Sequence, residues 1–357
     1  MVKIERFTAN PIISPEDVKP INDGFEVIGA FNAAVAQYND ETILVLRVAE
    51  RPVNKDENKI LIPVYNCQTK TTQVITESNR DGRFDTSDSR VVKEANVNHD
   101  FKYLTSLSYL RLARSTDGVN FSIEDHAFVY PHNEYETYGI EDARCTKIGD
   151  KYYLNFSSVS PRGICVELIS TSNFESYQHE AIIFNPDNKD VVLFPEKIKQ
   201  RYYALNRPTV KSTGHNDVWI SSSPELHSFG DHHWLFAGSE KGWDNGRVGA
   251  GLPPIKTKYG WLEIYHAADK SSRYCMGAML LDLDDPTKII ARLQNPILEP
   301  EAIYEKEGFF GEVVFGCGYV QRGDEITMYY GVADTSVAGC RFSLKEVLKE
   351  LLGDQIG

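Results

Sequence analysis

Short apolar runs broken by polar turns recur along the chain, and one pairing of runs returns five times. Each copy is an apolar strand, a turn carrying Asp, Asn, Gly or Lys, and a second strand, often rich in Tyr. The first copy is Phe31-Asn32-Ala33-Ala34-Val35-Ala36-Gln37-Tyr38, the turn Asn39-Asp40, then Thr42-Ile43-Leu44-Val45-Leu46-Arg47. The others span 142–157, 191–207, 249–266 and 313–334. Further apolar runs ending in turn residues lie between copies, at 113–118, 169–174, 220–224 and 281–286. Such runs bounded by Gly, Asp, Asn and Pro read as strands.

Five copies, each with room for about four short strands, predict an all-β chain folded as a five-bladed β-propeller. A closed architecture of this kind uses residues 1–357 as one domain. Copies longer than about 40–45 residues, without a G-H…W-D signature, separate it from the WD40 class. The interval between the first two copies is about twice the others, and its polar residues 50–100 predict a long loop over the axial channel. One helix is expected, at the C-terminal end. Ser343 and Glu346 form a capping box, Leu344, Val347, Leu348, Leu351 and Leu352 make one apolar stripe, and Gly353 stops it.

Length permits a sizeable core in the 357-residue chain. The net charge of −13 is scattered and no basic stripe exists, which argues against nucleic acid. No apolar run is long enough for a membrane span, and the first residues lack the apolar core of a signal peptide. Six cysteines, with no close pair, read as buried small hydrophobes in a reducing compartment, so a cytoplasmic location is expected. No metal site is expected. His232 and His233 are adjacent, would diverge on a strand, and sit beside residues that suggest a turn. Homo-oligomerisation is left open.

The stretch Tyr138-Gly139-Ile140-Glu141-Asp142-Ala143-Arg144 carries the strongest chemical signal. Neighbouring side chains on a strand point to opposite faces, so Glu141 and Asp142 are expected to do different jobs. An acid at a strand end could serve as a general acid. Matching places in the other copies carry Asn32 and Arg47, Lys189 and Arg207, Arg247 and His266, and Asp334. Singly, Arg47 or Arg207 reads as a salt-bridge partner and His266 as a core histidine. Their recurrence at equivalent module positions points to a shared central site.

These segments resemble the inverting β-mannoside phosphorylases of glycoside hydrolase family 130. The resemblance runs from Asn10-Pro11-Ile12 to the last helix. It is carried by residues 138–144, by Lys189-Asp190-Val191-Val192-Leu193-Phe194-Pro195, by Asn206-Arg207-Pro208, and by residues 249–257, 260–266 and 329–335. It implies a five-bladed propeller with Asp142 as the catalytic acid. It places Asn32, Arg47, Lys189 and Asp334 around the transferred mannose, and Arg207, Arg247 and His266 around phosphate. Three departures stand out: Ala143 where Pro is usual, Arg247 where Lys is common, and Glu312 where a neutral residue is usual.

An inverting hydrolase needs a second carboxylate to activate water. A phosphorylase needs cations there instead, because phosphate is the nucleophile. The candidate set fits the second scheme. The implied reaction is phosphorolysis of β-1,2-mannobiose or short β-1,2-mannooligosaccharides to α-D-mannose 1-phosphate. Inorganic phosphate is the co-substrate and no cofactor is expected. The resemblance further implies that Asp142 acts through the mannose 3-hydroxyl. Alternatives are a β-1,4-mannooligosaccharide or mannosylglucose phosphorylase, a β-mannoside hydrolase, and a non-catalytic sugar-binding or protein-interaction propeller. Arg51, Asp81, Arg83 and Asp85 in the first-copy insertion are the expected contacts for acceptor hydroxyls.

Overall fold

A computed structural model describes residues 2–97, 100–214 and 216–353. The described chain is almost wholly β, and apart from two small sheets in an insertion its strands fall into five antiparallel sheets. The first contains Phe25–Tyr38, Glu41–Pro52, Leu107–Ser115 and Ser122–Val129. The second contains Ile140–Ile148, Lys151–Ser160, Gly163–Thr171 and Gln178–Phe184, and the third Asn188–Leu193, Tyr202–Pro208, Val218–Ser223 and Gly230–Phe236. The fourth contains Arg247–Gly249, Trp261–Ala268, Tyr274–Leu281 and Ile289–Arg292, with Ile255–Lys256 beside Trp261–Ala268. The fifth contains Val314–Arg322, Glu325–Val332 and Ser336–Ser343. Its outer strand, Glu5–Arg6, comes from the other end of the chain. The repeated strand pair of the sequence is the first two strands of each sheet, and the intervening runs fall in the third.

Alternation along these strands builds the core, because both faces of the middle strands are buried. In Glu41–Pro52, Ile43 and Val45 pack with Ile140, Leu154 and Phe156 of the second sheet. Leu44, Leu46 and Val48 pack with Val320, Tyr329 and Val337 of the fifth. Further clusters join the second sheet to the third (Val166 and Leu168 with Leu193 and Ala204), the third to the fourth (Val192 and Leu205 with Trp261 and Tyr265), and the fourth to the fifth (Ile264 and Met276 with Met328 and Tyr330). Each sheet therefore shares an apolar seam with the next, and the fifth shares one with the first.

The first strands of three sheets carry the same irregularity. The pairing register slips between Phe31 and Ala34, between Glu141 and Arg144, and between Lys189 and Val192. Each slip contains one residue in left-handed conformation: Asn32 (φ 44°), Asp142 (φ 50°) and Asp190 (φ 53°). Asn and Asp tolerate this backbone better than other side-chain-bearing residues, and a bulge re-aims the side chains around it. In the fourth sheet Gly249 pairs in register with His266 and is not left-handed. Before the fifth, Glu312 (φ 59°) precedes Val313. Glu312 thus stands where the backbone turns left-handed, although its side chain is half-exposed and 3.7 Å from Arg273.

The insertion in the first sheet is more ordered than a long loop. Lys59–Asn66 pairs with Thr71–Ser78, and Phe84–Asp85, Val91–Glu94 and Tyr103–Leu104 form a small sheet. Residues 98 and 99 lie outside the described residues. The C-terminal helix spans Leu344–Leu352 with Ser343 at its N-cap and Gly353 at its C-cap. Only half of the expected capping box forms. Ser343 Oγ accepts from Glu346 N at 3.1 Å, while Glu346 Oε2 accepts instead from the backbone of Lys3. A short helix at Ile303–Lys306 was not expected. His232 and His233 lie within the strand Gly230–Phe236, not in a turn, and contact Ser221 and Asp231 respectively. No helix among the described residues is long and apolar enough to cross a membrane.

Candidate active site

Asn32, Arg47, Asp142, Lys189, Arg207, Arg247, His266 and Asp334 all line one cavity of about 660 Å³. The cavity is formed at the left-handed bulges and the strand ends facing them. All eight candidate residues therefore meet, although they come from five separate sheets.

One side of the cavity is a carboxylate cluster around a single guanidinium. Arg47 Nη1 donates to Asp142 Oδ1 at 3.0 Å, Arg47 Nη2 to Glu141 Oε1 at 2.8 Å, and Arg47 Nε to Ser108 Oγ at 3.1 Å. Phe31 supports the guanidinium from below, 4.7 Å from its ring centre. Asn32 Nδ2 donates to Asp142 Oδ1 at 2.9 Å. The expectation that Glu141 faces away from Asp142 is wrong. The bulge between Glu141 and Arg144 cancels the alternation, so one arginine grips both acids and both line the cavity.

Burial works to raise the Asp142 carboxyl. The charges of Arg47 and Arg144, with donors from Asn32 and Arg47, outweigh it and hold Asp142 below the usual range. Asp334 is pushed the other way. Burial, with the Asp142 charge added, raises it to about 6 against the pull of Arg47. The two neighbouring acids are thus shifted in opposite directions, Asp142 down and Asp334 up.

The opposite side is cationic and organised by Asp190. Its Oδ2 lies 2.8 Å from Arg207 Nη1 and 3.1 Å from His266 Nε2, and its Oδ1 lies 3.9 Å from Arg144 Nη2. Burial opposes ionisation here, but Arg207, His266 and Arg144 hold the carboxylate well below its ordinary value. Burial also lowers His266 despite Asp190, so its imidazole is neutral near pH 7. Arg247 stacks 4.9 Å over Tyr274 and reaches Ser272 Oγ at 3.4 Å. Arg207 Nε, Arg247 Nε and His266 Nδ1 are buried with no protein partner. Buried polar atoms are seldom left unpaired in a folded chain, so three at one place mark a binding surface. Adding a Cβ at Gly249 would bring it within 2.5 Å of both His266 and Asp190, which explains the glycine there.

Asp190 was missed as a site residue. Its signal was available: it precedes the apolar pair Val191-Val192 just as Asn32 precedes Ala33-Ala34. The expected acceptor contacts are also wrong. Arg51 pairs with Glu26, Arg83 pairs with Asp81, and Asp85 caps its own turn at Ser87, all outside the main cavity. The insertion presents Asp88, Arg90, Lys93, Asp100 and Phe101 to the cavity instead. Arg90 is held by Asp88 at 2.9 Å and rests 3.9 Å over the ring of Phe310.

Comparison with known proteins is consistent with this arrangement. The family model for glycoside hydrolase 130, described as beta-1,4-mannooligosaccharide phosphorylase, matches residues 88–352. The chain is 53% identical to a beta-1,2-mannobiose phosphorylase of Listeria innocua over 350 residues, covering 98% of this chain and 99% of the relative. It is 40% identical to a 1,2-beta-oligomannan phosphorylase of Thermoanaerobacter over 251 residues, 69% of this chain and 81% of the relative. The solved structure of the Listeria innocua enzyme in complex with beta-1,2-mannobiose superposes with a TM-score of 0.96, covering 98% of this chain and 99% of that one.

Proposed function

The chain belongs to glycoside hydrolase family 130, and from that premise we propose that it catalyses the inverting phosphorolysis of β-1,2-mannobiose. The products are α-D-mannose 1-phosphate and mannose, or a shortened β-1,2-mannooligosaccharide. The observation that carries this reading is the cationic wall, where Arg207, Arg247 and His266 each hold a buried nitrogen without a partner, opposite the acid cluster.

Each role follows from position and charge. Phosphate binds between Arg207 and Arg247, whose planar forks suit its oxygens. The unprotonated nitrogen of neutral His266 can accept from a protonated phosphate oxygen. Asn32, Arg47, Lys189 and Asp334 hold the transferred mannose. Asp142 supplies the proton to the departing sugar through the mannose 3-hydroxyl, and Asn32 and Arg47 keep its carboxyl aimed. A hydrolytic reading requires a carboxylate free to activate water on the phosphate side. Asp190 is the carboxylate there, and it is engaged by Arg207, His266 and Arg144. The β-1,2 linkage rests on the 53% identical relative and suits a cavity capped by Arg90, Phe101 and Phe310, since a bent disaccharide needs a short site.

We also read the five sheets as the blades of one propeller spanning residues 1–357. Apolar seams join every successive pair, and Glu5–Arg6 completes the last sheet. The six cysteines are all free and five are buried, which fits a reducing, cytoplasmic setting.

The decisive experiment incubates β-1,2-mannobiose with the protein in the presence and absence of phosphate. Cleavage only with phosphate, giving mannose 1-phosphate, is expected. Steady release of two mannoses in phosphate-free buffer would overturn the reading. A panel of 1,2-, 1,3- and 1,4-linked mannobioses in phosphate then tests the linkage.

A further inference from the structure

Away from the cavity, the segment before the second sheet and two strands of that sheet bring two imidazoles beside two buried carboxylates. His132, Glu136 and His179 bring one ligand atom each to within 4.8 Å of one another. Glu136 ends the turn Glu134–Glu136. Its Oε2 accepts from the backbone of His132 (2.5 Å) and Asn133 (3.1 Å) and lies 2.9 Å from His132 Nδ1. Its Oε1 is buried and has no partner. Glu167, on Gly163–Thr171, is also buried, accepts from Asn133 Nδ2, and lies 2.6 Å from His179 Nε2. The imidazole centres are 5.0 Å apart. The histidine side chains are 42% and 33% exposed, so solvent reaches the cluster. None of the four lines the phosphate and sugar cavity.

We infer that His132, His179, Glu136 and Glu167 form a binding site for a divalent transition-metal ion, with Zn²⁺ the best match. Two carboxylates balance a divalent charge, and imidazole with carboxylate is a common zinc donor set. Zinc bonds of about 2.0–2.2 Å place tetrahedral ligands roughly 3.3 Å apart, so the cluster must contract slightly. The two solvent-facing imidazoles can make that adjustment by side-chain rotation. The orphaned Glu136 Oε1 is the atom such an ion would satisfy. Its consequence is local. The carbonyl of Glu136 accepts from Gly139 N at 2.8 Å, and the chain then enters Ile140–Ile148 at Glu141 and Asp142. An ion here would fasten the segment that delivers the acid to the outer strands of its own sheet.

The test uses the full chain stripped with chelator and titrated with Zn²⁺, and separately with Co²⁺ as a spectroscopic probe. One tightly bound equivalent per chain, a higher melting temperature with zinc, and cobalt bands without a thiolate charge-transfer band are expected. His132→Gln and His179→Gln should each weaken zinc binding at least tenfold while leaving phosphorolysis intact. Failure of the wild type to bind either ion would overturn the site. So would zinc affinity unchanged in both variants, or a thiolate band showing that cysteines hold the ion. If a variant does not fold, the wild-type cobalt spectrum alone decides between nitrogen and oxygen ligands and sulfur.

Discussion

On one side of the cavity the left-handed bulges present Asn32 and Asp142; on the other the same bulge presents Asp190. The backbone is alike, but the surroundings differ. Glu141 and Asp142 share the guanidinium of Arg47, and burial, with the Asp142 charge added, pushes the neighbouring Asp334 up to about 6 against the pull of Arg47. Asp190 alone faces Arg207, Arg144 and His266, so positive charge is in excess and the carboxylate stays ionised. A repeated strand geometry therefore aims the side chains, and on both sides neighbouring cations hold the bulge carboxylate below its ordinary value; what differs is the added acid Asp334, which only the first side has. Arg47 and Arg207 occupy the matching partner positions, opposite Phe31 and Lys189.

Removing the acid should break the comparison most severely. Asp142→Asn keeps the left-handed backbone and the contact with Arg47 but cannot donate the proton. General acid catalysis is worth about 10²–10⁴ in rate, so kcat should fall by that order with the melting temperature little changed. Near-wild-type kcat would remove Asp142 from the reaction.

The cationic side should respond in KM instead. Arg207→Ala or Arg247→Ala each remove a charge-assisted contact worth about 1.5–3 kcal/mol. Steady-state kinetics should show the phosphate KM rising about ten- to hundredfold, with a smaller change in the mannobiose KM. Equal rises in both constants would mean that the two sides are not separate subsites.

Glu141 sharpens the contrast, because it shows where the sequence could mislead. The five repeated strand pairs, the third strands and the C-terminal helix were all legible, since each depends on local alternation or capping. That the eight candidate residues meet in one cavity was legible as well, through their recurrence at equivalent places and the family resemblance. Facing was not. The period of two holds only while the ladder is regular, and a bulge of one residue turned Glu141 toward the same arginine as Asp142. Asp190 escaped notice because its role lies in the partners it gathers from distant segments. The fold of residues 50–100 was hidden by its polar composition, which does not separate a loop from small exposed hairpins. Glu141→Gln should thus lower kcat/KM for mannobiose by about tenfold, the cost of one weakened charge-assisted bond to Arg47, with phosphate KM unchanged. A purely structural Glu141 would lower the melting temperature and leave kinetics intact.

The smallest expected effect is on stability, and it compares two buried carboxyls beneath the cationic side. Asp190 is paired with guanidinium groups and is held well below the ordinary value of 3.8. Glu263 accepts only from Gly251 N, and burial, against that bond and the charge of Arg144, raises it well above its ordinary 4.5. The linkage signs are opposite. Asp190 contributes stability above pH 3.8 that is lost as pH falls toward its folded pKa. Glu263 favours the fold while protonated, and that contribution declines as pH rises from 4.5 through its folded pKa. Asp190→Asn should therefore cost stability at pH 7, and the cost should shrink in acid. Glu263→Gln keeps the shape and cannot ionise, so relative to wild type it should gain stability as pH rises. Denaturant midpoints measured at pH 5 and pH 8 check the Glu263 prediction, and midpoints carried below pH 3.8 check that for Asp190. A Glu263→Gln difference from wild type that does not change between pH 5 and pH 8 would show that Glu263 is not held protonated by burial.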